Sequence, residues 1–436
     1  MQSIIEFLRP HALPLLYAVL IVAVLPLLAG YVVLLERKVM ADMQARLGPM
    51  RVGPHGLLQP IADALKLLLK EDIIPERADK WIFWMAPLIS VTAGLLAFAA
   101  LPFGPGFLIA DLNIGLLFIV AISSMGIFGI VLGGWASNSH YSLMGALRSA
   151  AQLVSYEVAG GMALVAGVLL AGTLSTREMV DAQAAQGVWF IFLCPVAFFI
   201  YLVASVAETN RAPFDMPEAE SELVAGYMTE FSGFRWSLYF LAEYANMIVV
   251  AGIATTLFLG GGARPFGGVS WLRPLDFFPP LFFVGVAGFC FYRAPKQPVL
   301  VQKLVMAAFG GLFLLLALPL GVAATILPAW KAAVHGGFWF VAKVMLYIYV
   351  FLWIRFTFPR YRFDQLMHLG WFFLIPLSIV NVMSLGIGLV LHRQAGWSLP
   401  VALGLSTLAT LVVALYLAHV GEQRAGISDT EVESEA

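Results

Sequence analysis

The stretch LPLLYAVLIVAVLPLLAGYVVLL, residues 13–35, contains no charged side chain and decides what kind of fold the chain can adopt. A helix rises about 1.5 Å per residue. The run is therefore long enough to cross the ~30 Å hydrocarbon core of a bilayer. It predicts a transmembrane helix.

The composition extends this prediction to the whole chain. Of the 436 residues, 61% are hydrophobic and 12% are charged, whereas soluble domains are about 45–50% apolar and about 25% charged. The short alternating strands of a membrane β-barrel are not visible. The predicted fold class is all-α, a polytopic bundle of transmembrane helices. No nucleic-acid partner is expected, because the basic residues lie in loops between the predicted spans.

Nine further apolar runs predict spans, near residues 82–102, 112–134, 150–172, 188–207, 236–260, 304–328, 338–356, 368–391 and 398–419. The stretch 277–292 is a weaker candidate, because it is short for a span and Pro279 and Pro280 lie near its start. It either crosses thinly or re-enters and returns.

Basic residues in short loops predict the orientation. The loop 36–81 carries eight Lys and Arg residues. If this loop is cytoplasmic and 277–292 crosses, eighteen of the 25 Lys and Arg residues fall on that side. Without that crossing, the basic residues 360–362 would lie outside. We therefore predict eleven spans, with the N-terminus outside and the C-terminus in the cytoplasm.

The loop 36–81 also predicts an amphipathic helix in the membrane interface. In GLLQPIADALKLLLK, residues 56–70, one helical face is apolar and the opposite face is polar. The apolar face comprises Leu57, Ile61, Leu65 and Leu68, and the polar face comprises Gln59, Asp63, Lys66 and Lys70. Upstream, repeated Gly-Pro pairs among Arg37, Lys38, Arg46 and Arg51 predict a shaped, irregular loop suited to docking a soluble partner. A simple positive-inside anchor is the alternative for each of these basic residues.

The stretch ETNRAPFDMPEAESE, residues 208–222, concentrates five carboxylates in a chain that is poor in charge. Carboxylates crowded next to a bilayer cannot all ionise, so such a group takes up and releases protons, as a proton path requires. Asp215 and Glu218 can equally cap a helix N-terminus. Capping does not account for the other three acids of this stretch, Glu208, Glu220 and Glu222, nor for Glu230, which follows it.

Two acids and a lysine lie inside predicted spans, away from their last two residues. Charging an acid at the bilayer centre costs about 2.5–3.5 kcal/mol on insertion scales, so Glu157 and Glu243 are candidates to line a water or ion path. A protonated Glu that is hydrogen-bonded between helices is the alternative. Lys343 lies near a span end, where it either snorkels to the interface or joins the functional charges.

Signals for redox centres are missing from the sequence. Cys194 and Cys290 are isolated in apolar runs, and the seven His residues form no i,i+4 pair, so we expect no metal site. No glycine-rich nucleotide-binding motif is present. Any electron-carrying cofactor is therefore expected on partner subunits.

Four long motifs resemble one family. They are ERKVMADMQARLGPMRVGPHGLLQPIADALKLLLKED (36–72), GWASNSHYSLMGALRSAAQLVSYE (134–157), AETNRAPFDMPEAESELVAGYMTEFSG (207–233) and PRYRFDQLMHLGW (359–371). They look like the H subunit of the proton-pumping NADH:quinone oxidoreductase, which is respiratory complex I. The resemblance runs from about residue 13 to 262 and from 336 to 385.

The resemblance implies two sets of site residues. The acids of a proton path that leads from the quinone chamber would be Glu208, Asp215, Glu218, Glu220, Glu222, Glu230, Glu243, Glu157 and Asp63. The quinone entrance, framed by the amphipathic helix with the first and sixth spans, would include Arg37, Arg46, Ala64 and Phe240. An apolar helix face beside basic residues suits an isoprenoid tail with a polar head at the interface.

The resemblance also implies the partners. The substrate would be a quinone, either ubiquinone or menaquinone, with NADH, FMN and iron–sulfur clusters held by partner subunits only. The partners would be the peripheral-arm iron–sulfur and quinone-site subunits, other small membrane subunits, and the antiporter-like subunits. All would meet at a bacterial inner membrane.

Three departures from the family pattern stand out. The third span offers only Ser123 and Ser124 where many members carry a Glu, so proton transfer there would need water or another side chain. His140 replaces a usual Lys, which makes a docking charge pH-dependent. The chain also divides unusually, into a core 1–262, an inserted connector with a helical hairpin 263–335, a core C-terminal part 336–391, and an extra span with an acidic tail 392–436. We expect disorder only for the polar, acidic tail at residues 422–436.

Two rival functions remain at this stage. The membrane component of an energy-converting hydrogenase would use no quinone, and gene neighbourhood would separate the two. A stand-alone secondary transporter would show inverted repeats and broken helices, and no internal repeat is visible.

Overall fold

The computed structural model describes residues 2–104, 108–215, 224–267, 270–297, 299–325 and 328–435. The chain is 80% helical, and those ranges contain no β-strand. The all-α prediction is confirmed. Glu218, Glu220 and Glu222 of the acidic loop lie outside the described residues.

Fifteen α-helices are described. They are α1 (Gln2–Met43), α2 (Gln59–Leu69), α3 (Lys80–Ala97), α4 (Gly115–Ala136), α5 (His140–Ala171), α6 (Thr176–Gln186), α7 (Phe190–Leu193), α8 (Pro195–Glu208), α9 (Gly233–Phe258), α10 (Phe278–Arg293), α11 (Leu300–Thr325), α12 (Pro328–Thr357), α13 (Phe363–His368), α14 (Ile375–Ala395) and α15 (Leu399–Glu435). A π-helical segment, Leu369–Leu374, joins α13 to α14.

Ten helical segments in the described part of the chain are long and apolar enough to cross a membrane. Each matches a predicted span, and the weak stretch 277–292 falls within the segment Leu272–Lys296. The eleventh predicted span, 188–207, is interrupted at Cys194, because Pro195 lacks the N–H that would continue the helix. It consists of α7, with four residues, and the apolar helix α8, with 14 residues. The orientation of the bundle stays a prediction.

Helix α9 lies at the centre of the bundle. Of its most apolar stretch of 18 residues, 78% are buried within the chain, against 17% for Leu272–Lys296 and 22% for α1, α11 and α15. It contacts α1, α2, α3 and α12, among others. The main hydrophobic core therefore surrounds α9, whereas those four peripheral segments leave most of their apolar surface uncovered by the rest of the chain.

Two segments are more helical than the sequence predicts. Helix α5 begins at His140, ten residues before its predicted span, and buries Ser142, Gly145 and Ser149 there. These small side chains allow close packing although they lower the local hydropathy. Helix α15 continues to Glu435, so the prediction of a disordered acidic tail is wrong. Glutamate is a good helix former, which favours this extension of the preceding span.

The segment between α9 and α12 forms a helical hairpin. Helices α10 and α11 pack against each other, and α11 also packs against α12. At one end of the hairpin, α11 contacts the short turn Pro54–Gly56, which precedes α2. The division of the chain into the four predicted regions stays a prediction.

Candidate functional site

Helix α2 lies on the surface of the bundle, as the amphipathic pattern predicts. It begins with Gln59 and Pro60 at its first positions, where a missing proline N–H costs no hydrogen bond. Ile61, Leu65 and Leu68 are exposed along one face. The helix contacts α1 and α9, which are the first and sixth predicted spans. Leu57 lies before the helix and does not continue its apolar face.

The polar face of α2 is bound to α1. Arg37 Nη1 lies 2.7 Å from Asp63 Oδ2, and Gln59 Nε2 donates to Asp63 Oδ1 over 3.0 Å. Arg37 and Asp63, which the resemblance assigns to the entrance and to the proton path, thus form one ion pair. This pair connects the surface helix to the first span.

The loop before α2 has a defined shape, as predicted. Gly56 has a φ of +77°, and a Cβ there would lie 2.2 Å from the carbonyl oxygen of Pro49. Only glycine fits this turn. Lys38 Nζ donates to the carbonyl oxygen of His55 over 2.7 Å, which fastens the loop to α1. Arg46 bonds Gln44 on the exposed side of the loop.

The remaining two entrance residues lie on the two helices that face each other. Ala64 is exposed on α2, and Phe240 is half-buried on α9. The Phe240 ring stacks on Trp236 with 5.1 Å between ring centroids and lies 4.8 Å from the ring of Tyr244. The guanidinium of Arg211 lies 5.8 Å from the Phe240 ring centroid. Phe240 therefore lies between the surface of α9 and the buried guanidinium of Arg211.

Glu243 on α9 forms a buried ion pair. Its Oε2 lies 3.1 Å from Arg211 Nη2, and its Oε1 accepts a 3.0 Å hydrogen bond from the hydroxyl of Tyr227. Both charges are within the core, with Glu243 8% exposed and Arg211 4% exposed. An uncompensated charge would be costly here, so each ion requires the other.

A second buried pair extends this one towards α1. The Arg211 guanidinium lies 4.5 Å from the ring centroid of Tyr244, and the Tyr244 hydroxyl donates to Glu36 Oε2 over 2.7 Å. Arg355 Nη1 donates to Glu36 Oε1. Glu36, Tyr244 and Arg355 were not predicted as site residues. The sequence signal for Glu36 is its place as the first residue of the basic loop 36–81 and of the first of the four motifs.

A small cavity lies beside Glu243. It has a volume of about 40 Å³, and a water molecule needs at least about 10–15 Å³ on this measure, so it has room for about two or three waters. Its lining includes three predicted acids, Glu157, Glu208 and Glu243. The structure thus brings together acids from α5, α8 and α9.

Hydroxyl and amide groups complete the cavity wall. Ser124 on α4 donates to Glu157 Oε1. Asn246 Oδ1 is buried in the wall, and no group in the described ranges bonds it. Buried amide oxygens are normally hydrogen-bonded. The lining is therefore suited to ordered water.

The acids of the loop are placed only in part. Asp215 is half-buried, and its backbone oxygen accepts a hydrogen bond from Arg360. Glu230 is half-buried before α9. The predicted capping contact between Asp215 and Glu218 lies outside the described residues together with Glu218 itself.

Lys343 neither snorkels nor joins the acids. It is 5% exposed, and its Nζ donates to the carbonyl oxygens of Leu259, Gly261 and Ala263 over 2.6, 2.8 and 2.7 Å. These carbonyls follow the C-terminus of α9, where backbone oxygens lack helical partners and a positive charge is favoured. The prediction of snorkelling is wrong, because unsatisfied carbonyls hold the ammonium group inside the protein.

No cluster of three or more His, Cys, Asp or Glu residues that could hold a metal ion is found within the described ranges. Cys194 and Cys290 are buried free thiols. The location of the redox centres on partner subunits stays a prediction.

The fold and the site define a class: a multi-pass helical membrane protein with carboxylic acids and ion pairs buried between its spans. The family model for NADH dehydrogenase matches residues 15–386. The NADH-quinone oxidoreductase H subunit 2 of Solibacter usitatus is 57% identical over 381 residues, which cover 86% of this chain and 96% of that protein.

Two further relatives are also H subunits of this enzyme. H subunit 1 of Koribacter versatilis is 53% identical over 363 residues, covering 79% of this chain and 84% of the relative. The H subunit of Rhodospirillum rubrum is 42% identical over 361 residues, covering 82% and 89%. The chain therefore belongs to the NADH dehydrogenase family, among the H subunits of NADH-quinone oxidoreductases. This confirms the resemblance inferred from the four motifs.

Proposed function

We propose that this chain forms part of the quinone chamber of a proton-pumping NADH:quinone oxidoreductase, and that its buried acids couple quinone reduction to proton movement. One observation carries the proposal: Glu157, Glu208 and Glu243 line a single cavity with room for water. Acids from three helices converge on that cavity inside an apolar bundle. Such residues usually serve ion or proton pathways.

The quinone would enter beside α2. Its exposed apolar face offers a surface for an isoprenoid tail, and Arg37 with Asp63 offers a polar end for the head group. Ala64 and Phe240 lie on the helices that bound this approach. A bulky residue at either position would narrow the passage without touching the buried acids.

The buried residues divide into fixed charges and proton carriers. Arginine keeps its proton in proteins, so Arg211 and Arg355 act as fixed positive charges beside Glu243 and Glu36. In the described part of the chain, neither Glu157 nor Glu208 lies in an ion pair, and both face the cavity. We assign proton exchange to these two acids, with water or the Tyr227 hydroxyl as the link to Glu243.

Electrostatics can couple this cavity to the chamber. Reduction of a quinone to a quinol consumes electrons and protons, so charge changes near the head group during turnover. Two unit charges ~6 Å apart interact by ~2.8 kcal/mol at an effective dielectric of ~20. An interaction of this size can change whether a carboxyl group holds its proton. The acids of the loop 208–230 would sense the change first.

The proposal extends to the setting of the chain. Partner subunits would supply NADH oxidation, FMN and the iron–sulfur clusters, and antiporter-like subunits would complete proton transfer across a bacterial inner membrane. The basic loop before α2 and the acidic loop would face the peripheral arm. Purification of the chain together with subunits that carry flavin and iron–sulfur clusters would test this assignment.

Glu208→Gln tests the proton path, because glutamine keeps size and hydrogen bonding but does not titrate. In the assembled complex we expect NADH:quinone reductase activity and proton pumping to fall together, by about 100-fold or more, the lower end of the range for loss of a proton-transfer group. NADH oxidation by an artificial acceptor at the peripheral arm should persist.

Glu178→Gln is the matched control. Glu178 is exposed on α6 and does not line the cavity. It should leave both activities unchanged. Full pumping in assembled Glu208→Gln complex would contradict the proposal, and so would a loss of assembly with normal turnover per complex.

A further inference from the structure

The helical hairpin α10–α11 packs against the loop that precedes α2, a contact that the sequence does not predict. Cys290 and Ala294 at the end of α10 and Met306 on α11 form a small buried cluster. Leu57, from the loop before α2, packs against that cluster. Gln297, in the turn of the hairpin, also reaches this loop, with its Nε2 3.4 Å from His55 Nε2.

The loop is thus held from two sides. Lys38 on α1 bonds the carbonyl oxygen of His55, and the hairpin contacts the side chains of His55 and Leu57. Pro54 and Gly56, on either side of His55, are buried. Because α2 begins at Gln59, directly after this clamped turn, the hairpin contributes to fixing where α2 starts.

Helix α2 itself has few other restraints. None of its eleven residues, Gln59–Leu69, is buried. Its polar face is held by the Arg37–Asp63 pair, and its C-terminal end is followed by Asp72, which lies 2.9 Å from Arg235 on α9. The Arg37–Asp63 pair is partly exposed, and exposed ion pairs are weak. The apolar contact of Leu57 with the hairpin is therefore a large share of what positions the N-terminal end of α2.

We propose that the hairpin α10–α11 positions α2 through its contact with Leu57 and so sets the width of the passage for long-tailed quinones. The proposal rests on the proposed function of α2 as one wall of the quinone entrance. In it, Leu57 and Met306 are positioning residues, which act on the substrate only through α2.

The test uses the assembled complex with Met306→Ala, Leu57→Ala and both together. Leu315→Ala is the matched control, because Leu315 lies on the same helix α11 and is 66% exposed. Hydrogen exchange of the backbone amides of residues 57–69 reports how firmly the start of α2 and α2 itself are held, without any quinone. We expect faster exchange in the three test variants and wild-type exchange in the control.

Kinetics report the consequence for substrate. We expect the KM for a long-tailed quinone to rise about threefold or more with kcat unchanged, the pattern that marks a change in binding alone. The KM for a short-chain quinone should stay at the wild-type value. Because both side chains act through one contact, the double variant should resemble the stronger single variant instead of multiplying the two effects.

The outcomes separate this inference from the proposed function. Unchanged hydrogen exchange in residues 57–69 would overturn the positioning role of the hairpin, whatever the kinetics. Faster exchange with unchanged KM for both quinones would instead remove α2 from the quinone entrance. Equal rises for long-tailed and short-chain quinones would contradict the idea that the contact acts on the passage of the tail.

Discussion

Glu243 and Lys343 are both buried charges at the central helix α9, yet their surroundings differ. Glu243 forms an ion pair with Arg211, accepts a hydrogen bond from Tyr227, and lines a cavity with two other acids. The Lys343 ammonium donates to three backbone carbonyls beyond the C-terminus of α9. Glu243 has titratable neighbours and room for water, whereas Lys343 satisfies the hydrogen-bonding capacity of backbone carbonyls.

The difference shows what makes an intramembrane charge functional. A charge in a span is costly wherever it lies, so its presence alone does not distinguish mechanism from structure. Titratable neighbours and space for water permit proton exchange. Saturation by carbonyls permits only stabilisation. We therefore assign coupling to the Glu243 region and folding to Lys343.

The largest effect is expected at Lys343. Lys343→Met would leave three buried carbonyls without a partner, and each costs about 1–3 kcal/mol. We expect the chain to be nearly lost from the membrane, measured by its amount in purified complex. Any complex that assembles should turn over at the wild-type rate. Lys80→Met, at an exposed position on α3, should assemble normally. Normal amounts of Lys343→Met complex with poor turnover would reverse our assignment.

The next effect is expected at the ion pair. Glu243→Gln removes the negative charge that is paired with the buried Arg211, and breaking such a pair costs about 3–5 kcal/mol. The melting temperature of the complex should fall, and pumping should be lost. Adding Arg211→Met also removes the positive charge of the pair, so the double variant should regain stability but not pumping. If pumping returned with stability, the pair would be structural like Lys343.

The sequence predicted the fold closely because span formation depends on local hydropathy. Ten of the eleven predicted spans, including the weak stretch 277–292, match helical segments long and apolar enough to cross a membrane in the described part of the chain. The errors occurred where tertiary packing overrides the local signal, as in the small-residue start of α5. They also occurred at the break before Pro195, where a backbone effect divides an apolar run.

The site was predicted only as far as single residues carry a signal. Intramembrane acids such as Glu157 and Glu243 stand out in an apolar run. Glu36 does not, because its partners Tyr244 and Arg355 lie 208 and 319 residues further along the chain. Pairing between residues so far apart in the sequence depends on how the helices pack. The hydrogen bonds from Lys343 to backbone carbonyls depend on this packing as well.

The smallest effect is expected at Ser124. Ser124→Ala removes the hydrogen bond to Glu157, and such a bond contributes about 0.5–1.5 kcal/mol. We expect quinone reduction and pumping to fall together by a few-fold, with assembly intact, measured in reconstituted vesicles. Ser384→Ala, which removes a hydroxyl bonded to a carbonyl within α14, should have no effect. A wild-type rate in Ser124→Ala would exclude this serine from the proton path.

The most direct test of the central claim is infrared difference spectroscopy of the assembled complex on quinone reduction. The account predicts a change in the band of protonated carboxyl groups. This change should be lost in Glu208→Gln or Glu157→Gln and retained in Glu178→Gln. An unchanged difference band in complexes that carry both Glu157→Gln and Glu208→Gln would contradict the claim that these acids change their protonation as quinone is reduced.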